Sequence, residues 1–405
     1  MERDDWCMKR TLLIAAALAL LTSPALAQEA PRWSLAVHGG AGVIERADMT
    51  AEEDAAYRAA LHRALEAGSA VLAGGGSALD AVEAAIEVME DEPLFNAGRG
   101  AVFTAAGRNE LDASIMDGSN LKAGSVAGVT TTRHPIEAAR AVMEQSRHVM
   151  LAGPGADSFA ASVGLEQVDP SWFFTERRWQ GLVNVLTERG EPIPERPAGV
   201  PPAPGARPGA MASMEVAPPQ GLAQARDENR FGTVGAVALD SQGRLAAGTS
   251  TGGLTGKRWG RIGDAPVIGA GTYASNAEGC AVSATGDGEY FIRATVARDV
   301  CARIALDAAH PELRVQELQA RIRDCEQNAG ADEICVGPHQ LLPAYAAARA
   351  EIAEVGALGG EGGIIVMPLG GVPAFAMNSS GMYRGSISST EPAAVAIYAD
   401  EDVKP

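Results

Sequence analysis

At 405 residues with 51 acidic and 33 basic side chains, the chain carries a formal net charge of −18. That balance argues against nucleic acid and anionic membrane surfaces as partners, since both require a basic footprint. The length accommodates one large domain or two small ones.

The first 27 residues read as a secretory signal. Met8-Lys9-Arg10 is a basic start, residues 12–21 are an apolar run, and Ala25-Leu26-Ala27 has the small-x-small cleavage pattern. The run is too short to span a bilayer. Removing it subtracts Arg3, Lys9 and Arg10 together with Glu2, Asp4 and Asp5, so the net charge stays at −18. The expected location is periplasmic or secreted. In such an oxidising compartment Cys280 can meet Cys301, and Cys325 can close a local loop with Cys335; spacing alone leaves the pairing open. A zinc site of Cys325, Cys335 and His339 lacks a fourth ligand at a familiar spacing and ranks below the disulfide.

Residues 34–37 predict a short strand leading into His38-Gly39-Gly40-Ala41-Gly42. Thr50-Ala51-Glu52-Glu53 matches a capping box and opens an Ala-rich helix with Leu61 and Leu65 on one face, stopped by Gly74-Gly75-Gly76. Ser77-Ala78-Leu79-Asp80 opens a second helix, with Val82, Ala85, Ile86 and Met89 at helical spacing. Residues 102–104, 111–116 and 123–131 read as strands between Gly/Asn turns. Pro135 starts a helix reaching Met143, and another covers 172–186. Residues 191–229 then turn to Pro, Ala, Gly and polar side chains, a composition that buries little and predicts a mobile linker. Beyond it, strands are expected at 234–239, 245–249, 267–273, 281–285, 363–367 and 374–377. Helices are expected at 291–308, 312–325 and 341–355. This order predicts an α+β fold with two sheets between helical layers, the linker interrupting one continuous core. No internal repeat is evident.

Thr233 lies just past the linker, in Arg230-Phe231-Gly232-Thr233-Val234-Gly235. A threonine starting a strand is ordinarily just a β-branched residue. If the Gly232–Thr233 bond is cut, however, the same residue carries a hydroxyl nucleophile and a free α-amine. The amine's ordinary pKa of roughly 7.7–8.0 suits a general base. Its place on the nucleophile's own Cα removes the positioning problem. The Thr233 hydroxyl can make that cut by attacking the Gly232 carbonyl, and glycine tolerates the strained backbone this requires. Three downstream segments supply what such a nucleophile needs. Thr249-Ser250-Thr251-Gly252-Gly253 offers hydroxyls. Arg261-Ile262-Gly263-Asp264 offers a cation and an anion for an amino-acid substrate. Thr285-Gly286-Asp287-Gly288-Glu289 offers a hydroxyl and backbone N–H groups for an oxyanion.

These segments, with His38 to Gly42, Phe95-Asn96-Ala97-Gly98-Arg99-Gly100 and Leu111-Asp112-Ala113-Ser114-Ile115-Met116-Asp117-Gly118, resemble the plant-type L-asparaginase/isoaspartyl peptidase family of N-terminal nucleophile hydrolases. The resemblance covers about residues 33–190 and 230–300, and more loosely 356–385. It implies a four-layer αββα sandwich, cut into an α chain (28–232, with 191–232 its linker tail) and a β chain (233–405), assembled as an (αβ)2 homodimer. It implies hydrolysis of L-asparagine and β-aspartyl dipeptides, with Thr233 as nucleophile, Thr251 assisting it, and Thr285 and Gly286 at the oxyanion. It further implies Arg261 and Asp264 on the substrate's α-carboxylate and α-ammonium, Gly288 against the substrate, and Asn96 approaching the site. No cofactor is required. The loop 89–99 matches one that binds a structural sodium ion through backbone carbonyls, here Met89, Glu90, Glu92, Phe95, Ala97 and Arg99.

Several competing readings are weaker. Gly252 to Lys257 is one residue short of a phosphate loop and is followed by Arg258 where Ser or Thr is needed. His38 reads as a structural, hydrogen-bonded residue, because the mechanism needs no histidine. Asn378-Ser379-Ser380 fits a short glycosylation sequon. Two departures from the family pattern stand out: extra helical material over 307–345, and altered residues around Gly381-Met382-Tyr383-Arg384, near the substrate end. The alternatives to weigh are a glycosylasparaginase-like hydrolase and an unprocessed, non-catalytic binding protein of the same fold.

Overall fold

A computed structural model describes residues 32–201, 232–312, 316, 319 and 342–403. The signal segment, the linker from 202 to 231, and Cys325, Cys335 and His339 lie outside the described residues. In chain order the first part holds β1 (Ser34–Gly42), α1 (Ala51–Ala73), α2 (Ala78–Asp91), β2 (Leu111–Asp117), β3 (Lys122–Val129), α3 (Pro135–Gln145), β4 (Met150–Ala152), α4 (Gly153–Ser162) and α5 (Glu176–Glu188). After the linker come β5 (Val234–Leu239), β6 (Leu245–Thr251), β7 (Thr272–Ser275), β8 (Cys280–Gly286), α6 (Gly288–Ala294), α7 (Val296–Ala309) and α8 (Pro343–Ala357). The chain closes with β9 (Gly362–Pro368), β10 (Ala374–Met377), β11 (Gly381–Ser388) and β12 (Ala394–Tyr398).

Eight strands make one sheet in the order β12-β11-β1-β5-β6-β2-β3-β4, and four make another in the order β10-β9-β8-β7. All pairs are antiparallel except β3 with β4. The central strands are buried on both faces, and their period of two sorts side chains into different clusters. Leu35 and Val37 of β1, with Val234, Ala236 and Ala238 of β5, pack with Leu61 and Leu65 of α1 and Val82 and Ile86 of α2. Ala36, Val237 and Ala247 instead pack with Ala274, Ala281, Ile365 and Met367 of the smaller sheet. The far face of that sheet, through Val282, Ala284 and Val366, packs with Val300 of α7 and Ile352 of α8. A disulfide between Cys280 and Cys301, with Cα atoms 5.6 Å apart, ties β8 to α7.

Local chemistry accounts for the helix starts. In both α1 and α2 a reciprocal capping box closes the first turn, Thr50 with Glu53 and Ser77 with Asp80. Four expectations need correction. Residues 102–104 form no strand: Thr104 makes only an isolated bridge to Lys257, because the Asn109 amide takes up the Ala101 and Val102 carbonyls. Of 267–273 only the end enters β7, since the Val267 and Asp264 carbonyls accept from nearby turn N–H groups. The helix expected over 291–308 breaks at Thr295, whose φ of +53° lies in the left-handed region. Finally, β11 and β12 lie beyond the expected strands: Gly381-Met382-Tyr383-Arg384-Gly385 lacks an alternating apolar pattern, so β11 owes its place to pairing with β1, and β12 pairs with β11.

Candidate active site

Thr233 immediately precedes β5, which lies between β1 and β6 in the larger sheet. Because β5 and β6 are antiparallel, the start of one meets the end of the other. The Thr233 hydroxyl donates to Thr251 Oγ1 at 3.0 Å, and the Gly253 N–H also donates to Thr251 Oγ1 at 3.0 Å. On the other side of the scissile bond, the Gly232 carbonyl accepts from the Asn96 N–H at 3.0 Å. Gly40 and Gly232 pack backbone to backbone. A Cβ on Gly40, at φ +116°, would fall 2.5 Å from Gly232 Cα, so only glycine fits there.

Asn96 is a bracket for this corner. Its side chain donates to the Gly253 carbonyl at 2.8 Å and accepts from the Val102 N–H at 2.9 Å, while its own carbonyl accepts from Gly252 N–H. The loop after α2, the residue before Thr233 and the turn after β6 are thereby held as one piece.

Beneath Thr233 lies a chain of buried polar groups spanning both sheets. His38 Nδ1 donates to the Thr233 carbonyl at 3.0 Å, and its Nε2 sits 2.9 Å from Ser283 Oγ. Burial pulls the imidazole pKa down to about 3, so the ring is neutral. A neutral ring that donates from Nδ1 must accept at Nε2, which makes Ser283 the donor there. Ser283 Oγ lies 2.6 Å from Thr249 Oγ1, which accepts from Thr272 Oγ1 at 2.5 Å; that hydroxyl accepts from Ser114 Oγ at 2.8 Å. His38 is therefore buried, neutral and hydrogen-bonded on both ring nitrogens.

Arg261 and Asp264 converge on Gly288. A Cβ on Gly288 would fall 2.7 Å from Asp264 Oδ1 and 3.0 Å from Arg261 Nη2, so both groups face the space that this glycine leaves open. Asp264 is buried, and its Oδ2 has no hydrogen-bond partner. Burial raises its carboxyl pKa to about 7, partly opposed by local backbone N–H groups and by Arg261. An unpaired buried charge is costly, which is why this carboxyl keeps its proton to a higher pH than an exposed one. Arg261 is held by Glu289 in a two-pronged pair at 2.9 and 2.8 Å, and that bond keeps the Glu289 carboxyl below its ordinary range. Thr285 and Gly286 end β8. The Thr285 hydroxyl accepts from Ala41 N–H at 3.3 Å, and Gly286, at φ +152°, packs on Gly362.

The profile of the asparaginase family matches residues 31–339. The chain belongs to that family. Among its relatives is an isoaspartyl peptidase of Escherichia coli (strain K12), 41% identical over 357 residues that cover 86% of this chain and 91% of the relative. An isoaspartyl peptidase of Salmonella typhimurium is 41% identical over 350 residues, covering 86% and 93%. A plant-type L-asparaginase of Pyrococcus furiosus is 40% identical over 282 residues, covering 68% and 81%.

In this asparaginase-family chain, residues 89–99 run from the last turn of α2 into the tight turns that follow it. A Cβ on Gly98 would meet the Glu90 carbonyl oxygen at 2.2 Å, and one on Gly100 the Phe95 carbonyl oxygen at 2.0 Å, so only glycine packs over these main-chain oxygens. The Met89, Glu92 and Ala97 carbonyls each accept one turn N–H and keep a second lone pair. The Arg99 guanidinium lies over the Trp172 ring. The Glu90 side chain points elsewhere, accepting from Ser250 and the Ile136 N–H, with burial raising its pKa to about 8.

Sequence reasoning assigned no role to Glu289, Ser283 or the buried pair of Lys257 and Asp112, 3.9 Å apart. Glu289 is 28 residues from Arg261 in the chain, so its pairing left no local signal. Ser283 left none, because its partner His38 is 245 residues away.

Proposed function

We propose that this chain is a self-processing amidohydrolase that cleaves the side-chain amide of L-asparagine and the β-linked amide of isoaspartyl dipeptides, releasing L-aspartate. The relatives named isoaspartyl peptidase and plant-type L-asparaginase support that substrate class. The observation that carries the reading is the Thr233 hydroxyl, 3.0 Å from Thr251 Oγ1 and next to a Gly232 carbonyl presented by Asn96.

In processing, the Thr233 hydroxyl attacks the Gly232 carbonyl, and water opens the resulting ester to free the Thr233 amine. The products are an α chain of residues 28–232 and a β chain starting at Thr233. In catalysis the amine takes the hydroxyl proton as Thr233 Oγ1 bonds to the substrate's β-carbonyl carbon. The oxyanion is stabilised at Thr285 and Gly286. The amine returns the proton to the departing ammonia or amino acid, and water then hydrolyses the β-aspartyl ester. Arg261 holds the α-carboxylate, and the orphaned Asp264 carboxylate holds the α-ammonium, beside Gly288. Thr251 steadies the nucleophile, and Asn96 frames the pocket.

The sheet and cluster arrangement supports a four-layer αββα sandwich of the N-terminal nucleophile hydrolase type. We further propose export through the signal segment 1–27, assembly as (αβ)2, and a structural sodium held by carbonyls of loop 89–99; the chemistry needs no cofactor. N-terminal sequencing of the purified protein, beside a Thr233→Ala variant, tests the mechanism. The expected result is a fragment beginning at Thr233 in the natural protein and an intact, inactive variant. A natural chain uncut at Gly232 yet active on β-aspartyl amides would sink it, and an assay against glycosylasparagine separates the related hydrolase.

A further inference from the structure

Beside the turn that follows Thr251 lies a buried ion pair with no part in the proposed chemistry. The side chains of Lys257 and Asp112 are each only 1% exposed, with Nζ 3.9 Å from Asp112 Oδ2. Lys257 Nζ donates to the Glu110 carbonyl at 2.7 Å. Asp112 Oδ1 accepts from the Gly128 N–H at 2.8 Å, while its Oδ2 has no hydrogen-bond partner among the described residues. Burial pulls the Lys257 pKa down and pushes that of Asp112 up, each opposed by the charge of the other. Both charges are costly to bury, and an apolar pair of similar volume is often as stable. Stability alone is thus a weak reason for an ion pair at this position.

The contacts of the pair supply a stronger one. Asp112 stands opposite Thr251 in the register of β2 and β6. A Cβ on Gly253 would fall 3.1 Å from Lys257 Nζ and 3.2 Å from its Cδ, so the lysine lies against the Cα of that glycine. Gly253 has a φ of +76°, in the left-handed region, and its N–H turns back onto Thr251 Oγ1 at 3.0 Å. Its carbonyl is held by the Asn96 amide at 2.8 Å. Lys257 is itself fixed at both ends of its backbone, its N–H donating to the Leu254 carbonyl and its carbonyl accepting from the Ala105 N–H. We infer that Lys257, neutralised by Asp112, is a positioning residue for the nucleophile, an inference that rests on the hydrolase reading above. It holds the Gly253 N–H on Thr251 Oγ1, the same oxygen that accepts from the Thr233 hydroxyl. A shift of the turn would move that oxygen and re-aim Thr233 Oγ1. At a nucleophile a misplacement of about 1 Å costs on the order of a hundredfold in rate.

In the proposed mechanism self-cleavage and substrate hydrolysis share the Thr233 hydroxyl, but only hydrolysis uses Arg261 and Asp264. A residue that positions the nucleophile must therefore slow both. Lys257→Met, of similar length and without the charge, tests this. Processing is followed after pulse-labelled synthesis by the appearance of a fragment beginning at Thr233. Asparagine turnover is counted per processed chain, so losses in folding cancel. We expect the processing rate and kcat each to fall at least about tenfold with KM little changed, and Lys257→Arg to recover part of both. Asp112→Asn, which keeps the shape and the lysine, should slow both by a smaller, parallel factor. It decides the question if the lysine variants do not fold, and unchanged rates in it overturn the inference. A purely structural pair would lower the folded yield and leave both rates per folded molecule as they were, which also overturns it. So does a loss confined to KM, since Arg261 Nη1 lies 3.5 Å from the same Cβ position on Gly253 and the lysine would then serve the arginine. A natural chain that neither cuts at Gly232 nor hydrolyses asparagine overturns the hydrolase reading itself.

Discussion

Asp264 concentrates the chemistry of the site in one carboxyl group. The folded protein holds its pKa at about 7 against an ordinary 3.8, so between those values it binds a proton that the unfolded chain releases. Stability linked to this group is therefore complete below about pH 4 and is lost as the pH rises through 7. Asp264→Asn should match the natural protein in thermal unfolding at pH 4 and exceed it at pH 8 by about 2–4 kcal/mol. A stability difference that does not change between those pH values would contradict this account. In the proposed mechanism function runs the other way: there the carboxyl must ionise to hold an ammonium group, so kcat/KM for asparagine should climb through about pH 7. The variant should lose at least about a hundredfold of kcat/KM, the cost of removing one charged partner of a buried pair. Arg261 and Asp264 were both legible in the sequence as a cation and an anion three residues apart. That Asp264 Oδ2 stands unpartnered and that Glu289 already occupies Arg261 were not, since neither follows from a spacing of three residues.

The decisive elements are the ends of β5, β6 and β8, which bring Thr233, Thr251 and Thr285 to one edge of the two sheets. The motifs marked these ends because hydroxyl- and glycine-rich stretches interrupt apolar runs. The same reading failed where side chains rather than backbone pattern set the structure, as at 102–104 with Asn109 and at Thr295 within the expected long helix. One cross-link bears on the placement of β8. The Cys280–Cys301 disulfide closes a loop with a sequence separation of 21 residues and anchors the strand whose far end is Gly286. Cys301→Ala, or reduction of the natural protein, should cost about 3 kcal/mol in denaturant unfolding. An unchanged unfolding midpoint after verified reduction would rule out a stabilising role for the bond.

For the whole molecule, strands from before and after the compositionally distinct linker meet in the same sheet. Strand β1 pairs with β5 from beyond the linker and with β11 from near the C-terminus, so a chain cut before Thr233 stays joined through the sheet. Processing should therefore leave α and β chains co-purifying. Sedimentation of the processed protein should give twice the mass of one mature chain, as expected for (αβ)2. Sedimentation at one mature chain's mass, or separation of the two fragments without denaturant, would overturn the assembly proposed here.

The sequence by itself determined the chemical inventory and its order: Gly232 before Thr233, the hydroxyls after it, the Arg261 and Asp264 pair, and the glycines of the final turn. These are local patterns, and local patterns survive in a linear string. Only the tertiary structure decided the environment of each group. His38 reaches Thr233 across 195 residues and Ser283 across 245. Burial, tautomer and charge state depend on such distant contacts, because solvent exclusion belongs to the packed sheets and to no single segment.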